Sequence, residues 1–407
     1  MANEHNGFVK YSGSEKLMPQ EETLEPRKRK SNITIGVPAE TSFQECRLPL
    51  VPQAVGLLVA NGNKILIEND AGKPAHFENG EFSEVGARIV YSKEEVFKAD
   101  LIIKVAPPTL EEIGFLSNRQ TIISSLQITS RNRDYFEKLM SKRLTALAFE
   151  HIQDKTGSYP VIRAMSELVG TASIFIANSY LSNPRYGKGI LLGGFPGIPP
   201  AEVVILGAGT VAEYAARAAL GVGALVKVFD NSIYKLRRLQ DKLNKRIFTS
   251  VLQPGILSSA LKTADVAIGA IHSSEGMTPC VVTDDMVQQM KFGSVIIDVS
   301  IDQGGCFETS LATDHNDPVF KKYDVTHFCV PNIASKIAHT ASYAFSNFFT
   351  PILIKIGESG GIDNMIKTDY GLRRGTYLFN GTLTKPYIGE YFSLPWQDID
   401  LLIAALS

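Results

Sequence analysis

Short apolar runs alternate with amphipathic segments over most of the chain. A strand is predicted to begin at residue 33, and further strands at 64–68, 100–105, 121–126 and 144–148. Helices are predicted between them, near 51–61, 93–98 and 133–142. Because strands and helices alternate, this part of the chain is predicted to form a parallel sheet with helices on both faces.

A second sheet is predicted after one long helix at 161–182. A loop rich in glycine and proline, 187–200, leads into apolar strands within 203–206, 225–229, 265–270 and 295–299. A helical pattern returns at 338–356, and the C-terminal residues are expected to pack back on the first sheet. The predicted fold class is therefore α/β, with two Rossmann-like doubly wound parallel-sheet domains and a cleft between them.

The predicted domains interleave along the chain. Residues 33–160 and 338–407 are expected to form one domain, and residues 161–337 the other. The polar segment 1–32, which ends in a short basic run, is expected to be a disordered tail. The cleft between the two domains is the expected place for a ligand.

Composition narrows the class of protein. The chain has 407 residues, a net charge of −1 and 44% hydrophobic residues, which is typical of globular domains and gives no reason to expect nucleic acid as a partner. Four cysteines lie far apart and form no CxxC pair, so neither a disulfide framework nor a metal site is expected. No apolar run reaches the length of a membrane span and no apolar signal core begins the chain, so a soluble cytoplasmic protein is expected.

The segment 202–231 carries the strongest motif. Its order is strand, glycine turn, helix, strand and acid, as in a dinucleotide-binding unit. The first glycine permits the tight turn, the second admits the pyrophosphate, and a small residue in the third position lets the helix pack on the strand. The helix N-terminus offers free N–H groups to phosphate. The predicted cofactor contacts in this turn are Gly207, Gly209, Thr210, Val211 and Ala212.

The acid that closes the second strand of this unit is Asp230. An acid in this place bonds the ribose hydroxyls of NAD, and no arginine follows it directly to hold a 2′-phosphate. The sequence therefore favours NAD as the cofactor. Lys235, Arg237 and Arg238 lie nearby and leave NADP open.

Five segments carry a family resemblance. They are GVPAETSFQECR at 36–47, MSELVG at 165–170, LGGFPGIPPAEVVILGAGTVAEYAA at 192–216, DVSIDQGGCFETS at 298–310 and CVPNI at 329–333. With these segments in order, residues 33–360 resemble the alanine dehydrogenase and transhydrogenase N-terminal family, and most closely alanine dehydrogenase. The resemblance implies an NAD-dependent oxidoreductase that converts L-alanine reversibly to pyruvate and ammonia by hydride transfer, and a homo-oligomer. It also makes 33–160 with 338–407 the substrate domain and 161–337 the NAD-binding domain.

The resemblance implies roles for three polar residues. Arg47 matches the arginine that holds the substrate carboxylate, and the alternative is a surface or interdomain salt bridge. Asp302 matches the aspartate beside the reacting carbon, and the alternative is a helix N-cap. Asn332 matches an asparagine near the nicotinamide that contacts cofactor or substrate, and the alternative is an Asx-turn.

Further cofactor contacts are implied at two other places. Met165 and Ser166 match positions of the linking helix that touch NAD. Gly269 and Ala270 end a strand at the carboxyl edge of the second sheet, where ligands of such sheets bind.

Two positions depart from the alanine dehydrogenase pattern. The catalytic lysine position holds Ala106, and Lys104 matches a different lysine of the pattern. The catalytic histidine position holds Gln127, which is still expected to contact the substrate but cannot exchange protons. The transhydrogenase component also lacks this pair. Lys336, His339 and His272 are possible substitutes, each with an ordinary loop residue as the alternative.

Three functions therefore stay open. The first is an alanine dehydrogenase that acts without the usual lysine and histidine. The second is a dehydrogenase for another 2-amino acid, since Ala106 leaves space and removes charge. The third is an NAD(H)-binding module without its own turnover, related to the transhydrogenase component. Gln127 and Ala106 support the third, and a substrate panel with a binding titration separates the three.

Overall fold

The computed structural model describes residues 33–273 and 276–405. The tail predicted for 1–32 lies outside these residues. The strands are β1 Thr34–Val37, β2 Lys64–Glu68, β3 Arg88–Val90, β4 Leu101–Ile103, β5 Thr121–Ser124, β6 Thr145–Ala148, β7 Glu202–Leu206, β8 Leu225–Phe229, β9 Phe248–Ser250, β10 Val266–Gly269, β11 Val295–Asp298, β12 Val319–Lys322, β13 Val325–Phe328, β14 Thr376–Phe379 and β15 Thr382–Leu383.

Helices separate most of these strands. They are α1 Pro52–Ala60, α2 Asn79–Glu84, α3 Lys93–Val96, α4 Leu110–Phe115, α5 Arg133–Ser141, α6 Pro160–Leu181, α7 Thr210–Gly221, α8 Ile233–Leu243, α9 Pro254–Thr263, α10 Asp284–Gln288, α11 Ile333–Lys336, α12 Ala338–Glu358, α13 Ile362–Thr368, α14 Tyr370–Gly375, α15 Pro386–Phe392 and α16 Ile399–Ala405. The alternation predicted from the apolar runs is thus present along most of the described chain.

The first sheet has the strand order β15-β14-β6-β5-β4-β1-β2-β3. Its strands β1 to β6 are parallel, and Ile35 of β1 lies between Ile65 of β2 and Leu101 of β4. Strand β14 joins β6 in antiparallel register, with Thr376 beside Leu147, and β15 extends the same edge. The C-terminal part of the chain therefore completes the sheet that the N-terminal part begins.

The second sheet has the order β12-β13-β11-β10-β7-β8-β9. All neighbours are parallel except β12, which pairs antiparallel with β13. Its central strands are buried throughout, as continuous apolar runs of parallel sheets are. These two mostly parallel sheets confirm the predicted α/β fold class, while the domain boundaries themselves stay a prediction.

Helix α6 connects the two sheets. Gly170 brings it close to α7, since a Cβ on Gly170 would lie 2.3 Å from the Val211 carbonyl oxygen. By length and composition alone α6 is apolar enough to cross a membrane, and its residues Ala172, Ile174 and Ala177 lie in the core of the second sheet. Burial of these residues accounts for part of the apolar composition of α6.

Several predicted strands end earlier than the apolar runs do. The run 100–105 forms a strand only over Leu101–Ile103. Beyond it the carboxyl group of Glu40 accepts the N–H of Val105, which takes that group out of strand pairing. The antiparallel pair β12 and β13 and the short helices after α12 were not predicted, because each is too short to show a clear period.

Candidate active site

Three loops that follow parallel strands bring polar residues together in the cleft. They follow β1, β11 and β13, so they lie at the carboxyl ends of strands in the two sheets. Ligands of open α/β sheets bind at such edges. Arg47, Asp302 and Asn332, which were singled out from the sequence, meet here.

The Arg47 side chain is fixed by a neighbour in its own loop. Its Nε lies 2.7 Å from Oε1 of Glu45, and its Nη2 lies 2.6 Å from Oε2. The guanidinium stands 5.3 Å from the centre of the Phe345 ring, and Nη1 lies 3.8 Å from the sulfur of Met165. This ion pair lies within one loop and is nearly buried, so it is not the surface or interdomain salt bridge named as the alternative. It leaves the Nη1 edge of Arg47 without a carboxylate partner among the described residues.

Glu45 was missed in the sequence analysis. Burial by itself would raise the pKa of this carboxyl group, but the Arg47 guanidinium and the Asn332 amide hold its pKa below the usual value. Glu45 is therefore ionised at neutral pH and neutralises part of the Arg47 charge. The spacing Glu-x-Arg after the first strand was the available signal.

Asn332 connects three parts of the site. It has φ 57, in the left-handed region, at the start of α11. Its Nδ2 donates to Oε2 of Glu45 at 3.0 Å, and its carbonyl oxygen lies 3.3 Å from Nε2 of His315. Its backbone N–H faces the Asp302 carboxylate and favours the ionised form. The side chain makes no cap hydrogen bond to α11, so an Asx-turn is not its role there.

Asp302 lies in a 3₁₀ turn, Val299–Gln303, directly after β11. The N-cap of this turn is Asp298, whose side chain accepts the Ser300 N–H, so Asp302 does not serve as the cap. Asp302 is open to solvent in the cleft, yet protein surrounds it on most sides. This desolvation raises the pKa of the Asp302 carboxyl group, and the Arg47 charge opposes the rise.

The loop that carries Asp302 is built around the buried Asp298 carboxylate. Asp298 accepts the Cys306 N–H at 3.0 Å and the Ser310 hydroxyl at 2.7 Å. Gly269 makes room for this arrangement, since a Cβ there would lie 2.6 Å from Oδ1 of Asp298. The observed contact of Gly269 is therefore with the loop that presents Asp302.

The two departures from the family pattern have different surroundings. Ala106 is buried, and its N–H donates to Oε2 of Glu40 at 3.3 Å. Gln127 is exposed at the end of β5, has φ 47, and contacts the Ser125 hydroxyl at 3.4 Å. The Gln127 side chain therefore bonds within its own loop and not to Arg47.

Lys104 does not replace the missing lysine. Its side chain is fully buried, with Nζ 2.8 Å from Oε2 of Glu112 and 3.6 Å from Oε2 of Glu40. Desolvation raises the pKa of Glu40 to about 7, against the opposing effect of the Lys104 charge. The Lys104 ammonium group is therefore paired with Glu112 and Glu40 inside the first domain.

Glu150, on the turn after β6, braces the Gln127 loop. Its Oε1 accepts the Leu126 N–H at 2.7 Å, and the Gln127 N–H also faces the carboxyl group. Its Oε2 is buried and has no hydrogen-bond partner among the described residues. Burial raises the pKa of Glu150, so its protonated form is favoured relative to an exposed glutamate.

The substitutes named from the sequence have different surroundings. Nδ1 of His339 contacts the Ala75 carbonyl at 2.8 Å and its ring stacks on Phe77. Lys336 and His272 are exposed, and the Lys336 charge acts on His315. The histidine that the structure brings to the site is His315, which sequence analysis missed because it lies in a loop outside the five segments that carry the resemblance.

The glycine turn has the geometry that its sequence predicts. Gly207 has φ 104, and a Cβ there would lie 2.4 Å from the Ala270 carbonyl oxygen, so only glycine fits. Gly209 precedes α7, has φ −80, and a Cβ there would meet nothing within 4 Å. Helix α7 begins at Thr210, where Thr210 and Val211 are half-buried, and Ala212 is fully buried against the sheet. This turn fits a pyrophosphate.

Asp230 is placed at the end of β8 beside this turn. Its Oδ2 accepts the Ala208 N–H at 2.8 Å and its Oδ1 accepts the Ser232 N–H at 2.7 Å. Lys235 and Arg237 are exposed on α8. On α6, Ser166 is half-buried, and its neighbour Met165, expected to touch NAD, contacts Arg47.

The fold and the glycine turn define a two-domain, Rossmann-like oxidoreductase. The C-terminal domain described as alanine dehydrogenase/PNT matches residues 173–386, and the N-terminal domain of the same description matches residues 36–169. The chain belongs to the alanine dehydrogenase/PNT family.

Individual relatives agree with this family. The alanine dehydrogenase of Mycolicibacterium smegmatis is 33% identical over 373 residues, which cover 91% of this chain and 100% of that protein. The alanine dehydrogenase of Staphylococcus epidermidis is 33% identical over 90% of this chain and 99% of its own length. A solved L-alanine dehydrogenase superposes with a TM-score of 0.83 at 33% identity, covering 89% of this chain and 99% of the other.

A transhydrogenase from Sinorhizobium meliloti shares the fold. It superposes with a TM-score of 0.74 at 20% identity, covering 87% of this chain and 99% of the other. The chain is therefore similar to alanine dehydrogenases in sequence and fold, and to this transhydrogenase in fold. These similarities make it an alanine dehydrogenase-like oxidoreductase.

Proposed function

We propose that this protein is an NAD-dependent amino-acid dehydrogenase that deaminates L-alanine reversibly to pyruvate and ammonia. One observation carries the proposal: Arg47, fixed by Glu45, lies beside Asp302 and Asn332 at the strand ends that also carry the glycine turn. A fixed guanidinium suits an α-carboxylate, and a carboxylate beside it suits the α-amino group.

Arg47 binds the substrate carboxylate in this proposal. Glu45 occupies Nε and one side of Nη2, so the substrate approaches the Nη1 edge. Binding there fixes Cα relative to the nicotinamide, which accepts the hydride when NAD is bound. The Glu45 charge keeps the pocket from becoming strongly cationic, which suits a zwitterionic amino acid.

Asp302 acts on the amino group. Its carboxyl group is open to the cleft and its pKa is raised by desolvation, so it exchanges a proton more readily near neutral pH than an exposed aspartate does. Its ionised form stabilises the positive charge that develops on nitrogen. Asn332 holds Glu45 and faces Asp302, and it also contacts cofactor or substrate by its amide.

The proposed cofactor is NAD, held at Gly207, Gly209, Thr210, Val211 and Ala212. Asp230 favours NAD over NADP, because its carboxylate repels a 2′-phosphate. Ser166, Gly269, Ala270 and Asn332 are proposed to contact the cofactor as well. Gln127 is proposed to contact the substrate from the first domain.

A dehydrogenase for another 2-amino acid is the second candidate. The buried Ala106 removes a charged side chain from the pocket, and Gln127 supplies hydrogen bonds without proton exchange. A non-dehydrogenase NAD(H)-binding module is the third candidate. The same two residues support it, together with the shared fold of the transhydrogenase.

We also propose a homo-oligomer. An apolar face formed by Phe175, Leu191, Phe195 and Ile198 lies on α6 and the glycine–proline loop, with each side chain more than half exposed. Such a face suits burial against a second copy. Light scattering after size exclusion tests this. The protein is proposed to act in the cytoplasm, without a membrane or nucleic-acid partner.

The deciding experiment follows NADH absorbance with pyruvate and ammonium, beside an NADH-binding titration on the same sample. Turnover supports alanine as substrate. Binding without turnover rules out alanine dehydrogenation, and a panel of 2-amino acids is then tested. Binding without turnover of any member of that panel favours the non-dehydrogenase module.

A further inference from the structure

Gln44 connects the substrate loop to a loop of the second domain. Its Oε1 accepts the His315 N–H at 2.7 Å, and its Nε2 donates to Oδ1 of Asp314 at 3.2 Å. Its carbonyl oxygen accepts the Ser335 hydroxyl at 2.7 Å. Gln44, the neighbour of Glu45, is thus bonded both to Asp314 and His315 and to Ser335. These residues lie 270, 271 and 291 positions further along the chain.

His315 continues this connection to Asn332. The Gln44 amide holds the His315 backbone, while the His315 ring reaches the Asn332 carbonyl oxygen with Nε2 at 3.3 Å. Asn332 in turn holds Glu45, which holds Arg47. The contacts form a closed circuit that begins and ends in the segment 44–47.

Two residues of this circuit have left-handed backbones. Gln44 has φ 56 and Asn332 has φ 57, and neither is glycine. Such conformations are unfavourable for residues other than glycine and persist where surrounding contacts enforce them. The hydrogen bonds of the circuit are among the contacts that hold both backbones, so their loss is expected to loosen both loops.

The His315 ring is suited to this role in its neutral form. Its partial burial lowers the pKa, and the nearby Lys336 charge acts in the same direction, while the Asn332 carbonyl, Asp314 and Glu45 oppose it. Neutral histidine with a proton on Nε2 donates to the Asn332 carbonyl oxygen. The protonated ring also donates from Nε2, but burial and the Lys336 charge disfavour its positive charge, so this placement of His315 is favoured above the ordinary histidine pKa and loses stability as the pH falls below it.

We propose that Gln44 and His315 form a clamp across the cleft that positions Asn332, Glu45 and Arg47 relative to Asp302. Both are positioning residues, since neither is placed against the substrate itself. The clamp consists of contacts between two loops and does not depend on the activity of the protein. Only its expected effect on the binding of an amino acid at Arg47 rests on the proposed function.

The test uses the full chain with four variants: Gln44→Ala, His315→Ala, His315→Gln and the double variant of Gln44→Ala with His315→Ala. Glutamine places an N–H donor near the position of the histidine Nε2, so it keeps the bond to Asn332 without the titrating ring. Gln288→Ala is the matched control, because Gln288 is exposed at the end of α10. The melting temperature of each variant reports any general loss of fold.

The expected kinetic result is a rise in KM for the amino acid. Gln44→Ala and His315→Ala are each expected to raise it roughly tenfold, with NADH affinity changed less than about twofold. The double variant is expected to match the single ones because they remove the same clamp. His315→Gln is expected to recover most of the loss and to flatten the acid side of the pH profile. Additive losses, or no recovery by glutamine, overturn the proposal.

A second readout does not depend on turnover. Hydrogen exchange of the backbone amides at 44–47 and 314–316 is expected to speed up in Gln44→Ala and His315→Ala and to stay unchanged in Gln288→Ala. Faster exchange in a protein that turns over no amino acid keeps the clamp and rejects the proposed function. Unchanged exchange in both variants rejects the clamp, whatever the protein catalyses.

Discussion

Glu45 holds the Arg47 guanidinium with both carboxylate oxygens, at 2.7 Å from Nε and 2.6 Å from Nη2. The pair is nearly buried, with side-chain exposures of 13% for Arg47 and 4% for Glu45. Breaking a buried pair leaves one charge without its partner, so each residue depends on the other. Glu45 thereby decides which edge of Arg47 faces a ligand.

Replacing Arg47 is expected to affect the amino acid and NADH differently. Arg47→Gln removes the carboxylate partner, so amino-acid turnover is expected to fall at least 100-fold, while NADH binding stays within about threefold. Steady-state kinetics and an NADH titration measure the two effects. Equal loss of both would show that Arg47 supports the fold and not the substrate.

Glu45→Gln is expected to mobilise Arg47 without removing it. The glutamine keeps one acceptor but sets an NH₂ group against the guanidinium, so KM for the amino acid is expected to rise roughly tenfold. Because Glu45 is ionised in the wild type, the effect is expected to persist from pH 6 to pH 9. If the KM of Glu45→Gln equals that of wild type across this pH range, Glu45 does not orient Arg47.

The two glycines of the turn are expected to respond differently to alanine. Gly207→Ala places a Cβ against the Ala270 carbonyl at a positive φ, so it is expected to lower both stability, by about 1–3 kcal/mol, and NADH affinity. Gly209→Ala meets no protein atom, so it is expected to lower NADH affinity alone. Thermal melts with NADH titrations separate them, and Gly255→Ala on α9 is the control. Unchanged NADH affinity in Gly209→Ala would contradict a pyrophosphate in this turn.

Glu150 is expected to affect stability as a function of pH. Its folded pKa is raised by burial, so as the pH rises above its ordinary value the unfolded chain releases a proton that the folded chain retains. Folding stability from this group is thus present at low pH and lost as the pH rises through the folded pKa. Glu150→Gln removes this loss, so its stability relative to wild type is expected to be greater at pH 8 than at pH 5, as measured by urea unfolding. If the difference in the free energy of unfolding between Glu150→Gln and wild type is the same at both pH values, the predicted pH dependence is wrong.

Gln127→His is expected to restore proton exchange at the first domain. Gln127 is exposed, and histidine is among the residues that tolerate its left-handed backbone. Turnover of pyruvate with ammonium is expected to rise roughly 10-fold to 100-fold, with a new pH dependence near neutral. Measurement of kcat against pH checks this. No change at any pH would mean that position 127 does not face the reacting atoms.

Much of the architecture followed from periodicity. The strand 64–68 was predicted with the bounds that it has, and the long helix predicted at 161–182 is Pro160–Leu181. The runs that end at Val105 and Leu126 were predicted too long, because Glu40 and Glu150 satisfy the backbone N–H groups that follow the strands. The apolar pattern of a sequence indicates which residues are buried. It does not indicate which side chain binds the backbone where a strand ends.

The sequence by itself determined the glycine turn, the acid at Asp230 and the family of the chain, because these depend on motifs in each of which the residues lie close together along the backbone. Only the tertiary structure decided that Glu45 holds Arg47, that Asp298 and not Asp302 caps the turn after β11, and that His315 reaches Asn332. Glu45 and Asn332 are separated by 287 positions. Contacts of this range depend on how two sheets pack, and that packing leaves no local pattern in the chain.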